Sequence, residues 1–460
     1  MFKNIHKFGN KIAIDDKLYG QYSYKDLINY SKKLKINISE KNICLLICGN
    51  NLESIVGYLT FMNSNKIVTL LVDKSFKVEF MNKIIEAYKP KYIFAPQEIS
   101  FKKFLLKEKF KSYNFYESKF NLQNKIEFIN YLLLPTSGTT QNPKFVRLSK
   151  KNLLLNSKNI INELKIKKNH TTITTMPMGY SYGLSILNTH LLCGAKIILN
   201  NHTIFEKFFW NILKKKKVSS FGGVPDLFEY LKKLKFENQN LSSIKYISQA
   251  GGKLNIDTEN YLENVCGKKK IKFFKMYGQT EASPRISILQ WKHFKKKKSS
   301  VGKPLRGSKI IIIDKRGNKI KKNNVIGEIY LEGENVCLGY AKSIKDLFKK
   351  DTNKKKLLTG DLAFKDEDGF LYIVGRKKRI IKIFGIRINM DDIENLLKKN
   401  NINCKCKMED NKIKLNIDSL KFAEVSKNIL SENLGINKNF ILVEQNTTKT
   451  LKSIYINEKS

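Results

Sequence analysis

The sharpest segment of the chain is Pro135-Thr-Ser-Gly-Thr-Thr-Gln-Asn-Pro-Lys144. Thr136, Ser137, Thr139 and Thr140 offer hydroxyls beside main-chain N–H groups, and Lys144 adds a point charge. Gly138 tolerates positive φ and lets the backbone come close to a ligand. Such a turn can wrap the β- and γ-phosphates of a nucleotide, because hydroxyls, amides and an ammonium all suit phosphate oxygens. The GxxxxGK[ST] spacing of a P-loop is absent. By composition alone, a Ser/Thr/Gly turn after a strand is more often an ordinary loop.

Elements on either side must hold this turn. Residues 127–134 read as an apolar strand entering it, Phe145 to Leu148 as a short strand leaving it, and Ser149 as the cap of a following helix. Upstream, Ile43 to Cys48 is a continuous apolar run ending in Gly49, the pattern of a buried parallel strand. Asn50 or Asn51 can cap a helix through Met62. Ile67 to Val72 is a second buried strand. Ser75 can cap a helix to about Tyr88, stopped by Pro90, before a third strand at Tyr92 to Ala95. This βαβαβ order predicts a parallel sheet covered by helices. The αβ rhythm continues to about residue 290. From 301 to 340, short Ile-rich strands with turn signals such as Asp314 to Gly317 read as a β-rich subdomain. From about residue 378 the chain reads as a small α+β domain. No internal repeat and no low-complexity linker is visible.

Composition bounds the class. With 460 residues, 42% hydrophobic and 11% aromatic, the chain can bury large cores and suits about three folding units. The formal net charge is +45, from 86 basic and 41 acidic residues. That raises nucleic-acid or acidic-membrane binding, but the lysines are scattered as a solvated surface, and runs such as Lys214 to Lys217 and Lys295 to Lys298 lack interleaved aromatics for base stacking. No nucleic-acid recognition motif is present. The seven cysteines are odd in number and widely spaced, and Cys404 and Cys406 have no histidine nearby to complete a zinc site. A reducing, cytoplasmic location is expected. The N-terminus lacks the apolar stretch of a signal peptide, and runs such as Ile67 to Val72 are too short to span a bilayer.

Five segments in order bear a family resemblance: Pro135 to Lys144, Met276-Tyr-Gly-Gln-Thr-Glu281, Gly327-Glu328 with Gly339-Tyr340, Thr359-Gly-Asp361, and Gly375-Arg376 through Gly385-Ile-Arg387. Together they resemble the motifs of the adenylate-forming superfamily of acyl-CoA synthetases, peptide-synthetase adenylation domains and firefly luciferase. The resemblance implies an α/β fold. A large N-terminal domain of stacked α/β subdomains with a β-rich subdomain, residues 1–377, precedes a small mobile α+β domain, residues 378–460.

By that resemblance Tyr277 stacks on adenine beside Gly278, Thr280 contacts the α-phosphate, and Glu281 holds Mg²⁺. A hard cation bridging phosphates suits a carboxylate oxygen. Gly251 and Gly252, in Gln249-Ala-Gly-Gly252, resemble the small-residue loop that packs against adenine. Asp361 resembles the aspartate accepting hydrogen bonds from both ribose hydroxyls. Arg376 resembles an arginine on ribose or phosphate, and Arg387 a second one near the α-phosphate. The hinge position falls on Lys378. Generic surface charge is the competing explanation for these basic residues. The catalytic lysine aligns with Lys452, with Lys449 as its rival; a lysine ammonium there would bridge carboxylate and α-phosphate. Departures are Gln141 and Phe145 in place of glycine, Leu451 in place of glycine before the lysine, and a lost proline. Gln141 removes flexibility from the lid over the phosphates.

The implied reaction uses ATP and Mg²⁺ to turn a carboxylic acid into an acyl-adenylate. The acyl group then passes to the thiol of coenzyme A or of carrier-protein phosphopantetheine. Tyr180 and Gly183, in Met176-Pro-Met-Gly-Tyr-Ser-Tyr-Gly183, match the region that meets the acyl group. No aspartate lies between Met176 and Leu192 to pair with an α-ammonium, so a non-amino acid is favoured. Three readings compete: an enzyme loading amino or other acids onto an acyl carrier protein, an inactive nucleotide-binding homologue, and a basic nucleic-acid-binding protein.

Overall fold

The computed structural model describes residues 1–445 except 17–18, 35–39, 121–124, 137–142, 384–385, 410–411 and 435–436, with only the backbone described at 378, 380–383, 386–389 and 434. The chain divides into two compact units: Met1–Ile310 with Leu331–Leu357, and Ile311–Tyr330 with Leu358–Ser460.

The first unit contains two large mixed sheets. One runs Tyr340–Ala341, Phe145–Leu148, Leu132–Pro135, Ile67–Asp73, Asn42–Cys48, Tyr92–Pro96, Tyr113–Ser118 and Phe104–Phe110 in spatial order. Its centre is parallel, as the apolar runs predict. Alternation divides the strand Asn42–Cys48 between two cores. Cys44, Leu46 and Cys48 pack with the helix Leu52–Asn63, while Ile43, Leu45 and Ile47 pack with the helix Val78–Tyr88. The second sheet carries the parallel strands Ile12–Asp16, Lys196–Leu199, Thr171–Ile173, Ser220–Gly223, Tyr246–Gln249 and Lys272–Gly278. Antiparallel Arg285–Leu289 follows along the Lys272–Gly278 edge.

Local signals explain the boundaries. Asn51 caps its helix by accepting the Ser54 amide at 3.0 Å. Ser149 caps Lys150–Leu164 through a reciprocal box with Asn152. Two expectations are corrected. The helix after Ile67–Asp73 starts at Val78, because Ser75 gives its amide and hydroxyl to Asp73 Oδ1 instead of capping. The strand before the Ser/Thr turn is Leu132–Pro135, not 127–134. Glu127 to Asn130 form a turn tied to the Leu347 carbonyl, and Phe128 stays exposed under the Lys41 ammonium.

The second unit holds Leu371–Arg376 and, from Leu358 on, its antiparallel partner Lys356–Lys365. Further along, a sheet of Cys404–Glu409, Lys412–Ile417 and Ile441–Gln445 packs against the helices Met390–Lys399 and Ala423–Leu434. This is the α+β character expected of the C-terminal part. Among the described residues, no helix is long and apolar enough to cross a membrane.

Candidate active site

Leu132–Pro135 and Phe145–Leu148 pair antiparallel on either side of residues 136–144, with Pro135 opposite Phe145. Ser137, Gly138, Thr139, Thr140 and Gln141 lie outside the described residues; Thr136 and Lys144 bracket them. On the far side of Phe145–Leu148 sits the short strand Tyr340–Ala341, with Tyr340 opposite Val146. This pairing places the Lys144 ammonium 3.6 Å from the centre of the Tyr340 ring, a cation–π contact.

Tyr340 also reaches the second motif. Its hydroxyl donates to Glu281 Oε1 at 2.8 Å. Burial, then the Glu281 charge, raises the phenol pKa, so the hydroxyl keeps its proton as donor. Lys144, Tyr340 and Glu281, from three separate motifs, therefore form one continuous contact line.

The backbone around Glu281 is fixed from several directions. Lys272–Gly278 ends where a side chain on Gly278 would strike the Pro284 carbonyl, so only glycine fits. Gln279 N donates to that carbonyl at 2.9 Å, and a 3₁₀ turn, Thr280–Ala282, follows. The Glu281 carbonyl accepts from Cys337 N at 2.8 Å. Asn335, 4% exposed, donates to the carbonyls of Ala282 and Arg285 and accepts from Ser308. Thr280 donates to Ser181 Oγ at 3.2 Å, joining this motif to the helix Ser181–Cys193.

That helix begins after Tyr180, the residue at its N-terminal boundary. Gly183 lies in its first turn against the Met176 and Pro177 carbonyls, leaving no room for a Cβ. Beyond Tyr246–Gln249, Gly251 has φ +89°, and a Cβ there would sit 3.1 Å from the Tyr180 hydroxyl. Gly252 is pressed against Pro225, and its carbonyl accepts from Gln249 Nε2 at 2.9 Å. The two expected adenine-wall glycines and Tyr180 are thus neighbours. Tyr277 is half-buried at the end of its strand.

The second unit carries Asp361 and Arg376, directly opposite in register. Arg376 Nε donates to Asp361 Oδ1 at 3.1 Å, and Asp361 is 3% exposed. Thr359 accepts from Asp361 N and donates to the Ile329 carbonyl. Lys378 lies in the turn Lys377–Arg379 and Arg387 in the strand Ile386–Asn389, where the backbone alone is described. Gly385, Lys449, Leu451 and Lys452 lie outside the described residues.

Sequence reasoning missed two residues that shape this region. Arg147, fully buried, donates to the carbonyls of Leu338, Asp346, Lys349 and Lys350 and so pins the loop bearing Tyr340. Asn335 was hidden because an asparagine in a turn-rich segment reads as turn chemistry. As for a metal, no group of three or more His, Cys, Asp or Glu side chains gathers among the described residues. A single carboxylate such as Glu281 fits Mg²⁺, which takes one or two protein carboxylates and draws other ligands from phosphates and water.

The sequence model described as AMP-binding enzyme matches residues 1–341. Oxalate–CoA ligase of Saccharomyces cerevisiae is 29% identical over 292 residues, covering 61% of this chain and 52% of that protein. 2-Succinylbenzoate–CoA ligase of Bacillus cytotoxicus is 29% identical over 265 residues, covering 58% and 53% respectively. The chain thus spans about half the length of the curated relatives it matches. The structure of O-succinylbenzoate coenzyme A synthetase from Bacillus subtilis in complex with AMP superposes with TM-score 0.76 at 19% identity, covering 97% of this chain and 95% of that one. At that identity the likeness concerns the fold. Motifs, fold and family match agree: this chain belongs to the family of AMP-binding enzymes.

Proposed function

We propose that the chain joins a carboxylic acid to a thiol in two half-reactions. The substrate carboxylate attacks the α-phosphorus of ATP, the bond to the bridging oxygen breaks, and pyrophosphate leaves. A thiol sulfur then attacks the acyl carbon, AMP departs, and the thiol proton goes to solvent. The acceptor is the phosphopantetheine thiol of coenzyme A or of a carrier protein.

The observation that carries this reading is the contact line Lys144–Tyr340–Glu281. It gathers a cation and a carboxylate beside the Ser/Thr turn, as a triphosphate with its counter-ion requires. In the proposal, Thr136, Ser137, Gly138, Thr139, Thr140 and Lys144 surround the β- and γ-phosphates. Thr280 meets the α-phosphate. Tyr277, Gly278, Gly251 and Gly252 enclose adenine. Asp361 accepts from the ribose hydroxyls, with Arg376 beside it and Arg387 near the α-phosphate. Mg²⁺ on Glu281 would supply charge neutralisation to the phosphates. Lys452 orients the attacking carboxylate. Residues 378–460 then turn about Lys378 against 1–377, withdrawing Lys452 before the thiol arrives. Tyr180 and Gly183 border the acyl group. The relatives' names carry different acids, oxalate and 2-succinylbenzoate, so they leave the acid open. Seven unpaired cysteines support a reducing, cytoplasmic setting.

The test measures AMP and thioester together across fatty, aromatic, amino and dicarboxylic acids, with coenzyme A and a carrier protein in separate arms. Acid-dependent AMP matched by thioester is expected. Lys452→Ala should lower adenylation by about 100-fold or more, and Lys449→Ala should stay near wild type. Absence of AMP with every acid would favour an inactive nucleotide-binding homologue.

A further inference from the structure

Arg285 lies four residues after Glu281, the end of the Met276 to Glu281 motif, and opens the strand Arg285–Leu289. It is 2% exposed, and its backbone is locked on both sides. Asn156 accepts from its amide at 3.1 Å, and Asn156 and Asn335 both donate to its carbonyl. The side chain is treated differently. Its Nε and Nη2 are buried with no hydrogen-bond partner among the described residues. The guanidinium carbon lies 4.9 Å from the centre of the Tyr182 ring. Arg147, equally buried, places its two Nη groups on four carbonyls.

Arg285 lines a cavity with Tyr182, Ser185, His190, Ser248 and Met276. No carboxylate is among the described lining residues. Burial pushes the His190 imidazole down to about 4, so it is neutral and contributes no charge. A guanidinium so enclosed, with fork N–H groups unspent, is costly unless an anion meets it, and a carboxylate is its best geometric match. The cavity lies beside the proposed acyl region: Tyr182 and Ser185 belong to the helix that starts after Tyr180, Ser248 precedes the Gly251 loop, and Met276 begins the motif. Its volume of about 20 Å³ leaves room for a small polar group beside the guanidinium.

We infer that the acid activated here is a short dicarboxylic acid, whose distal carboxylate pairs with Arg285 while the other is adenylated. This rests on the ligase reading above and names the substrate class of that site. The experiment compares acids of equal length, malonate with propionate and succinate with butyrate, by kcat/KM for AMP formation, alongside the fatty, aromatic and amino acids. Wild type should prefer the dicarboxylate of a pair by at least about 100-fold. Arg285→Leu should shift that ratio toward the monocarboxylate by a similar factor, with Arg285→Lys between the two. Equal or better use of monocarboxylates, or an unchanged ratio in Arg285→Leu, overturns the inference. If the leucine variant fails to fold, as a thermal melt would reveal, the wild-type ratio decides alone. AMP with monocarboxylates only leaves the ligase reading standing and removes this one. No AMP with any acid removes both.

Discussion

Tyr340 joins two motifs that lie far apart in the sequence, presenting its ring to Lys144 and its hydroxyl to Glu281. Phenylalanine keeps the first contact and removes the second. A hydrogen bond to a charged acceptor contributes about 1.5–3 kcal/mol. Tyr340→Phe should therefore lower kcat/KM for adenylation by roughly 10-fold or more and lower the melting temperature by a few degrees. ATP–pyrophosphate exchange reads this directly, and a wild-type rate would detach Tyr340 from the site. The Gly339-Tyr340 pair was legible as a motif, but its partners were not. A ring that takes a lysine on its face and gives a proton to a carboxylate leaves no periodic trace in a sequence. Arg285 was silent for a similar reason: in so basic a chain, burial alone distinguishes one cation from the rest.

At the scale of elements, the parallel strands and their helices were legible, because continuous apolar runs bounded by cap residues carry their own signal. The strand Phe145–Leu148 and the Ser149 cap match their expected positions. The failures at 127–131 and at Ser75 come from tertiary partners, the Leu347 carbonyl and the Asp73 carboxylate, which no local pattern contains. Ser149→Ala should cost about 1 kcal/mol by removing the cap. Gly183→Ala should cost more than the roughly 1 kcal/mol typical of substitutions, because its Cβ meets backbone carbonyls that cannot swing aside. Urea titrations of both variants test this ordering, and a gentler effect at Gly183 would contradict the packing described for that helix.

For the whole molecule, the α/β architecture followed from motif order and apolar rhythm. The compact units did not, since 311–330 groups with residues beyond 358 through strand pairing. Stability should depend on two histidines. His170 and His190 are each pushed down to about 4, chiefly by burial. In the unfolded chain a histidine takes its proton near pH 6.5, so between there and about pH 4 the unfolded state binds more protons. Their contribution is present above pH 6.5 and is lost as pH falls toward 4. Melting temperature should drop across that window, less steeply in His190→Gln, and an identical slope in the variant would exclude the histidine.

Arg147 is saturated by main-chain oxygens, and what it recognises is a path, not a set of side chains. Within 342–350, positions other than the capping pair Ser343 and Asp346 and the buried Leu347 can therefore vary while the tyrosine before them stays aimed. An inserted or deleted residue there would displace those carbonyls and disturb nucleotide handling at a distance, although every motif remained intact on paper.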